Sequence, residues 1–389
     1  MNQYWRIIAP RRKESTADLG RLDECLLRGK ASALVPLLAV PLMAHGHEHV
    51  EVIPGENVED EDDDFECTKR PRKNGLPQNH SSKAARIEHH NAVEAVRTAN
   101  VPRPGSLYDL PSEIHHHIFA RLTNVEDVLR LSLTNRYFWA VGLSHIEDHI
   151  ITSLAPWAGE QIICVGNCGE PGDYPPGLWS AAEQKAMRAL AHHSEPMNLY
   201  ALGHTYHQVG EPSLSQQLQS WFQQYEAEHP MSKADRAEIL MGLRPEISEF
   251  YPRDQPWVLR NLTTKEYVRG EVIALKGEFV RGPQIDVLGF PEVLISRICW
   301  SVSNGGLEGQ LRITRGKWAG HRFDITPLSV HEKKTQNKCW MDVSNEVLRE
   351  IDVLASEDLG DDWRQHLAQE FQTSHVPILA EGRGASVGY

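Results

Sequence analysis

Histidine and cysteine side chains at short spacings are the first residues of this chain that suggest chemistry. His45, His47 and His49 alternate, so in an extended segment they face one side and offer neutral imidazoles to a transition metal. They lie beside an acidic run, and we expect a solvated segment instead. Cys164 and Cys168 have no second ligand pair nearby, whereas a structural zinc ion needs four ligands. The sequence therefore predicts no metal site and no cofactor.

Two further groups have catalytic residue types. His321 and Asp324 are the kind of pair that a hydrolase uses, but such pairs arise by chance among 20 histidines and 53 acidic residues. The consecutive His115, His116 and His117 lie in a predicted helix, where neighbours point about 100° apart. They cannot bind one metal, and we expect them in solvent. Since no nucleophile motif, phosphate loop or dinucleotide fingerprint is present, we predict no catalytic residues.

The composition excludes several classes of function. The net charge of -13, from 40 basic and 53 acidic residues, argues against general nucleic-acid binding. Six scattered cysteines indicate a reducing compartment rather than a disulfide framework. The longest apolar stretch, residues 31–44, is too short to span a membrane and contains Pro36 and Pro41. We expect an intracellular protein, in the nucleus, the cytoplasm or both, without a nucleic-acid or membrane partner.

Residues 1–105 are predicted to be mostly disordered. Residues 56–66 include eight acidic side chains and precede a basic cluster, and such blocks offer no apolar face to bury. The cluster is typical of a nuclear-localisation sequence, with a solvated linker as the equal alternative; it consists of Lys69, Arg70, Arg72 and Lys73. Residues 376–389 are predicted to be a flexible tail.

Residues 106–150 have the pattern of three short helices. Leu110, Ile114, Ile118 and Leu122 recur every four residues, which places them along one helix face. Asn124 can cap a second helix, and Thr134 or Asn135 can cap a third. An apolar stripe of this kind usually belongs to a protein core, so the stripe alone predicts only helical packing.

The order of particular residues in this segment carries more information than the stripe. Leu110-Pro111-Ser112-Glu113-Ile114 is followed by Ile118-Phe119, Leu122, Asp127 and Phe138-Trp139. The segment resembles the F-box family, whose pattern is Leu-Pro-x-Glu-hydrophobic, a hydrophobic pair, a leucine, an acidic residue and an aromatic residue. Thr134-Asn135 departs from the Val-Cys found in many members, at a site between the second and third helices.

The resemblance implies a function in ubiquitin transfer. F-box modules pack on the C-terminal helices of a Skp-family linker, which connects them to a cullin scaffold in a ubiquitin ligase. Without a partner, the exposed apolar side chains would be an aggregation liability. The resemblance implies that the linker is bound by Leu110, Pro111, Ile114, Ile118, Phe119, Leu122, Leu129 and Leu133.

Residues 151–375 are predicted to form a mixed, strand-rich domain that binds an unknown protein target, which makes the whole chain α+β. Helices are expected at 213–228, 232–243, 343–354 and 363–371, and strands at 161–165, 257–259, 293–300 and 321–325, among others. We find no internal repeat of 20–50 residues. Segments 157–160, 170–177 and 318–324 resemble uncharacterised F-box proteins of filamentous fungi.

The sequence therefore favours an adaptor that has no chemistry of its own. One alternative is a scaffold that binds a Skp-family protein without a cullin. A more remote alternative is an intracellular hydrolase that uses His321 and Asp324.

Overall fold

The structure is a computed structural model, and it describes residues 3–27, 31–42, 107–185, 198–209, 213–244, 250–302, 313–336 and 339–374. The predicted α+β class is confirmed: of the residues that the structure describes, about 49% are helical and 15% lie in strands. The chain divides into two compact units. The first comprises residues 1–40, 155–211 and 251–389, and the second comprises residues 41–154 and 212–250.

All described strands lie in the first unit. In chain order they are β1 (Trp5–Ala9), β2 (Glu14–Ser15), β3 (Ile163–Gly166), β4 (His207–Gln208), β5 (Trp257–Asn261), β6 (Glu266–Arg269), β7 (Val280–Arg281), β8 (Gln284–Ile285), β9 (Cys299–Trp300), β10 (Phe323–Pro327) and β11 (Met341–Asp342). They form sheets with the orders β4-β2-β1-β3-β9, β10-β5-β6-β11 and β7-β8.

The helices are shared between the units. Those of the first unit are α1 (Leu22–Leu27), α2 (Leu34–Leu38), α6 (Leu199–His204), α9 (Gly270–Ile273), α10 (Phe290–Ile298), α11 (Leu328–Lys334), α12 (Ser344–Leu359) and α13 (Trp363–Ser374). Those of the second unit are α3 (Ser112–Arg121), α4 (Val125–Ser132), α5 (Arg136–Thr152), α7 (Leu214–Glu228) and α8 (Lys233–Gly242).

The first unit repeats one motif, beginning with two equivalent hairpins. Residues 5–15 and 257–267 align without a gap, so that Trp5 matches Trp257. Each hairpin turns through four residues and ends in a Lys-Glu pair. Lys13 and Lys265 both have left-handed backbones, with φ of 55° and 58°. The hairpin of β1 and β2 therefore has the conformation of the hairpin of β5 and β6.

The repetition extends to the third strand of each sheet. A Trp-Ala-Gly sequence, at residues 157–159 and again at 318–320, precedes β3 and β10. Strand β3 pairs with β1 so that Ile7 lies opposite Cys164, and β10 pairs with β5 so that the equivalent Leu259 lies opposite Ile325. In each half the tryptophan indole N–H donates to the glutamate of the hairpin at 2.7 Å.

The two halves also exchange elements symmetrically. Strand β9, which follows α10, pairs in parallel with β3 of the first half. Ala39, which follows α2, pairs in parallel with β10 of the second half. The amide of Gly159 donates to Phe323, and the amide of Gly320 donates to Ile162. Such reciprocal pairing means that the halves are related by an approximate two-fold axis.

This repeat lies outside the range of 20–50 residues in which the sequence shows no internal repeat, because its equivalent tryptophans are more than 150 residues apart. The copies are far apart in sequence and share few identical residues, so a search at periods of 20–50 residues does not detect them. The second unit also interrupts the first copy, because its residues 41–154 lie between Val40 and Ala155. A hairpin and its third strand are therefore more than 140 residues apart in the first copy.

The N-terminal prediction is wrong for the residues that the structure describes there. Strand β1 is buried along its whole length and is the central strand of the five-stranded sheet. The α2 segment is buried against the same core. The expected disorder of residues 43–105 and of the tail at 376–389 lies outside the described residues.

One strand prediction in the second half is also wrong. Residues 293–300 were expected to form a strand, but Phe290–Ile298 is α10. Every residue of this helix except Ser296 is buried, and the consecutive Val293, Leu294 and Ile295 form a short apolar run. A short run of that kind has the same pattern in a buried strand.

The second unit is helical and extends beyond the predicted three-helix segment. Helices α7 and α8 contribute Leu218, Phe222, Ile239 and Leu243 to one core with α3, α4 and α5. Residues 213–244 therefore belong with the three-helix segment and not with the predicted domain at 151–375. The capping box of Ser213 and Gln216 begins α7 at the predicted position.

Candidate protein-binding site

The candidate site begins at a short 3-10 turn, Leu107–Asp109, that is joined to α3 by a buried histidine. Nε2 of His115 lies 2.7 Å from the carbonyl oxygen of Leu107, and Nδ1 lies 2.8 Å from the hydroxyl of Tyr137. A carbonyl oxygen can only accept, so Nε2 carries the proton and the Tyr137 hydroxyl donates to Nδ1. The prediction of a solvated His115 is therefore wrong, because its ring connects the turn, α3 and α5.

His116 and His117 are exposed as predicted. Nδ1 of His116 lies 3.1 Å from Nε2 of His145 on α5. Burial, and then the neighbouring His116, lowers the pKa of His145 and favours its neutral form. The contact is therefore a hydrogen bond between two imidazoles rather than a pair of cations.

The predicted binding residues differ in exposure. Ile114 is 41% exposed, Pro111 is exposed, and Leu110 and Ile118 are half-buried. Leu107, which the sequence argument left out of the binding set, is 40% exposed beside them. Single exposed apolar side chains are common on protein surfaces, but several within one short segment are typical of a surface that binds a partner. We call these five residues, Leu107, Leu110, Pro111, Ile114 and Ile118, the apolar face.

Other predicted binding residues lie inside the unit. Phe119 is 1% exposed, and Leu129 is fully buried in the helical core. Leu122 and Leu133 are half-buried and pack against the same core. These four side chains hold the helices together, and Phe119 and Leu129 offer no surface to a partner.

Local sequence explains why the helices begin where they do. The side chain of Asn124 accepts from the amide of Glu126 at 2.9 Å, and that of Asn135 accepts from the amide of Phe138 at 2.9 Å. Each cap satisfies a backbone N–H that the helix leaves unpaired. The predicted caps at Asn124 and Asn135 are therefore confirmed.

Helices α4 and α5 approach each other closely at Gly142. A Cβ atom there would lie 1.9 Å from the Ser132 hydroxyl and 2.8 Å from the ring of Phe119. Ser132 is buried and donates to the carbonyl of Val128 at 2.7 Å, so it cannot turn aside without losing that bond. This glycine fixes the packing that leaves the apolar face outside.

The opposite side of the helical unit is covered by α7 and α8. The guanidinium of Arg130 lies 5.3 Å from the ring centre of Trp221, and Arg136 forms ion pairs with Asp235 and Glu238. The Trp139 ring packs against the backbone of Gly242. This cover buries the side of α5 that a three-helix module alone would expose.

The comparisons with known proteins agree with the order of residues in this unit. A family model described as F-box-like matches residues 107–144. The chain carries an F-box-like domain. F-box domains generally bind Skp-type linkers, and the proteins that carry them are typically non-catalytic adaptors of ubiquitin ligases. No curated protein and no solved structure matches the chain, so the resemblance to fungal proteins stays a prediction.

The residues considered for hydrolysis have structural partners instead. Arg260 and Asp324 form a two-pronged ion pair at 2.7 and 2.5 Å, and both are buried. Asn261 donates to Nδ1 of His321 at 3.0 Å, and burial lowers the pKa of His321. Since His321 and Asp324 are three residues apart in an extended segment, their side chains point to opposite faces. They do not form a catalytic pair.

The remaining candidates for chemistry give no site among the described residues. Cys164 is buried and Cys168 is exposed, and burial raises the pKa of the Cys164 thiol. Within the described ranges, no group of histidine, cysteine and acidic side chains is arranged to hold a metal, and no helix is long and apolar enough to cross a membrane. His45, His47 and His49, and the basic cluster from Lys69 to Lys73, lie outside the described residues.

Proposed function

We propose that this chain is the target-recognition adaptor of a Skp–cullin–F-box ubiquitin ligase. The apolar face binds the C-terminal helices of the Skp-family linker, and the duplicated first unit binds the protein that is to be ubiquitylated. The chain supplies position and effective concentration, while other subunits supply the chemistry.

The observation that carries the proposal is the group of exposed and half-buried apolar side chains on the segment that matches the family model. The core of this unit is complete, with α7 and α8 covering α5. Ile114 and Leu107 nevertheless remain 41% and 40% exposed on the segment that matches the family model. Burying one such side chain contributes about 1.5–3 kcal/mol before the costs of association.

The test is co-purification of the full chain with a Skp-family linker. Ile114→Asp places a charge in the apolar face and should weaken linker binding by about ten-fold or more. Met241→Asp is the matched control, because Met241 is 76% exposed on α8 of the same unit and lies outside the face. Circular dichroism of each variant checks that the helices are intact.

Equal recovery of the linker by both variants would show that the apolar face does not bind it. Cullin recovery in the same pull-down distinguishes the adaptor from a cullin-independent scaffold. Recovery of both the linker and the cullin would support the adaptor function, whereas recovery of the linker without the cullin would support the scaffold.

A further inference from the structure

The first unit has an open cleft of about 640 Å³ at the turn between β1 and β2. This volume lies within the range of small-molecule and peptide side-chain pockets. Three segments that are distant in sequence form its walls, and all belong to the first copy of the repeat. The lining residues are Pro10, Arg11, Lys13, Trp179, Glu183, Leu202, Thr205 and Tyr206.

The walls of this cleft are largely apolar rings and aliphatic groups. Trp179, Leu202 and Tyr206 are half-buried and pack against the same apolar cluster beneath the sheet. Burial raises the pKa of Tyr206 to about 12, so its hydroxyl keeps its proton near neutral pH. The cleft therefore suits an apolar side chain and offers a neutral hydroxyl beside it.

Among the described residues, one cation at the rim has no ion-pair partner. Arg11 pairs with Glu183 at 3.3 Å, and Arg12 pairs with Glu14 at 3.0 Å. Lys13 is exposed and has no ion-pair partner among the described residues. Its carbonyl oxygen accepts from the amide of His207 at 2.9 Å, which fixes the backbone of the turn. An anionic group on a ligand would meet the Lys13 ammonium there, on a turn whose backbone is held in place.

The basic turn and the tyrosine wall of the cleft do not follow from the fold, because the second copy of the repeat lacks them. Its equivalent turn has Thr263 and Thr264 in place of the two arginines. Both threonines are hydrogen-bonded within the protein, to the amide of Arg322 and to the carboxylate of Glu266. The residue equivalent to Tyr206 is Trp340, whose ring packs edge-on against His331. The basic rim and the tyrosine wall are specific to the first copy.

Among the described strands, a sheet edge without a further neighbour adjoins the cleft. Strand β4 is the outermost strand of its sheet and directly follows Tyr206. The amides of His207 and Val209 both donate towards β2, so the amide and carbonyl of Gln208 between them face away from the sheet. An exposed edge of this kind pairs with extended peptides.

We propose that this cleft is the docking site for the target, and that its occupant is an extended peptide of a protein. An apolar side chain of the peptide enters the ring-lined cleft, a carboxylate or phosphate on a nearby side chain pairs with Lys13, and the peptide backbone bonds to Gln208. This inference rests on the proposed adaptor function and names the chemistry of its target.

The test measures retention of the full chain on immobilised short peptides of otherwise random sequence. Each peptide carries one leucine or phenylalanine, followed at varied spacing by glutamate, phosphoserine, glutamine or serine. The anionic mixtures should retain about five-fold more protein than the neutral ones, as expected for one partly exposed ion pair. Comparing glutamate with phosphoserine shows whether the anion is a carboxylate or a phosphate.

Two variants and a matched control assign the effect to the cleft. Lys13→Glu should abolish the preference for anionic peptides, whereas Lys265→Glu, at the equivalent turn of the second copy, should keep it. Thr205→Trp, at an exposed position of the cleft wall, should reduce retention on every mixture by about ten-fold or more. Equal effects of Lys13→Glu and Lys265→Glu, or retention unchanged by Thr205→Trp, would overturn the proposal.

Linker binding, measured on the same samples, separates this inference from the proposed function. Linker binding without retention on any peptide mixture means that the cleft is not the docking site. If the chain is retained on peptides but does not bind the linker, the cleft is still a peptide-binding site. Only the adaptor function is then rejected.

Discussion

The hydroxyl of Tyr137 lies 2.8 Å from Nδ1 of His115, and both residues are buried within the F-box-like domain. The other nitrogen of the same ring bonds to the carbonyl of Leu107. One imidazole therefore connects α5, α3 and the turn that carries part of the apolar face. A substitution on α5 can therefore destabilise the apolar face, although none of the five residues of that face lies on α5.

Tyr137→Phe should lower the free energy of unfolding by about 1–3 kcal/mol, because it leaves a buried imidazole acceptor without a donor. Urea denaturation followed by far-UV circular dichroism measures the change. Tyr225→Phe on α7 is the control, since Tyr225 is half-buried in the same unit and its hydroxyl has no partner among the described residues. Equal stability of the two variants would contradict a role for the His115 bond.

The buried ion pair of Arg260 and Asp324 gives a second prediction, because the repeat contains its apolar equivalent. Ile8 and Ile163 face each other in the first copy at the register of Arg260 and Asp324 in the second. Asp324→Ile should cost about 3–5 kcal/mol, since it leaves the Arg260 charge buried and uncompensated.

Adding Arg260→Ile should recover most of that loss, because an apolar pair of suitable size often replaces a buried ion pair without cost. Chemical denaturation of the two single variants and the double variant completes the thermodynamic cycle. A double variant that is less stable than Asp324→Ile would show that Arg260 stabilises the fold through other contacts.

The buried Glu292 predicts a pH dependence of stability. It accepts from the amide of Gly289 at 2.8 Å at the start of α10, and burial raises its pKa from 4.5 to about 7. A carboxyl group with a raised pKa binds its proton more tightly in the folded state than in the unfolded chain. Its contribution is fully present below pH 4.5 and is lost as the pH rises through about 7.

Glu292→Gln keeps an oxygen acceptor for Gly289 and removes the titration. Relative to this variant, the wild-type protein should lose up to about 3 kcal/mol of stability between pH 4.5 and 7. Denaturation midpoints of both proteins across that range give the difference, with Glu332→Gln as an exposed control. A constant difference between wild type and Glu292→Gln at all pH values would show that Glu292 does not titrate in this range.

The local features of the F-box-like domain can be inferred from the sequence alone. The caps at Asn124 and Asn135, the helices that follow them and the ordered Leu-Pro-x-Glu motif depend on residues a few positions apart. Capping and helical periodicity act over that distance, so they can be read from the chain directly. The family model confirms this part of the interpretation.

Which of those residues face outward depends on how the helices pack together. Phe119 and Ile114 belong to one amphipathic helix, yet Phe119 is in the core and Ile114 is exposed, because α5 packs on only one side of α3. The burial of His115 depends likewise on Tyr137, which lies on another helix.

The dependence on contacts with distant residues also explains why other predictions from the sequence were wrong. Strand β1 pairs with β3 across more than 140 residues, so no local pattern indicates that the N-terminus is ordered. The cleft at Lys13 joins three segments of the chain, and α10 is buried on nearly all of its surface, so its apolar residues do not lie on a single helix face. Contacts between residues far apart in the chain determine these features, and they form only when the first unit folds.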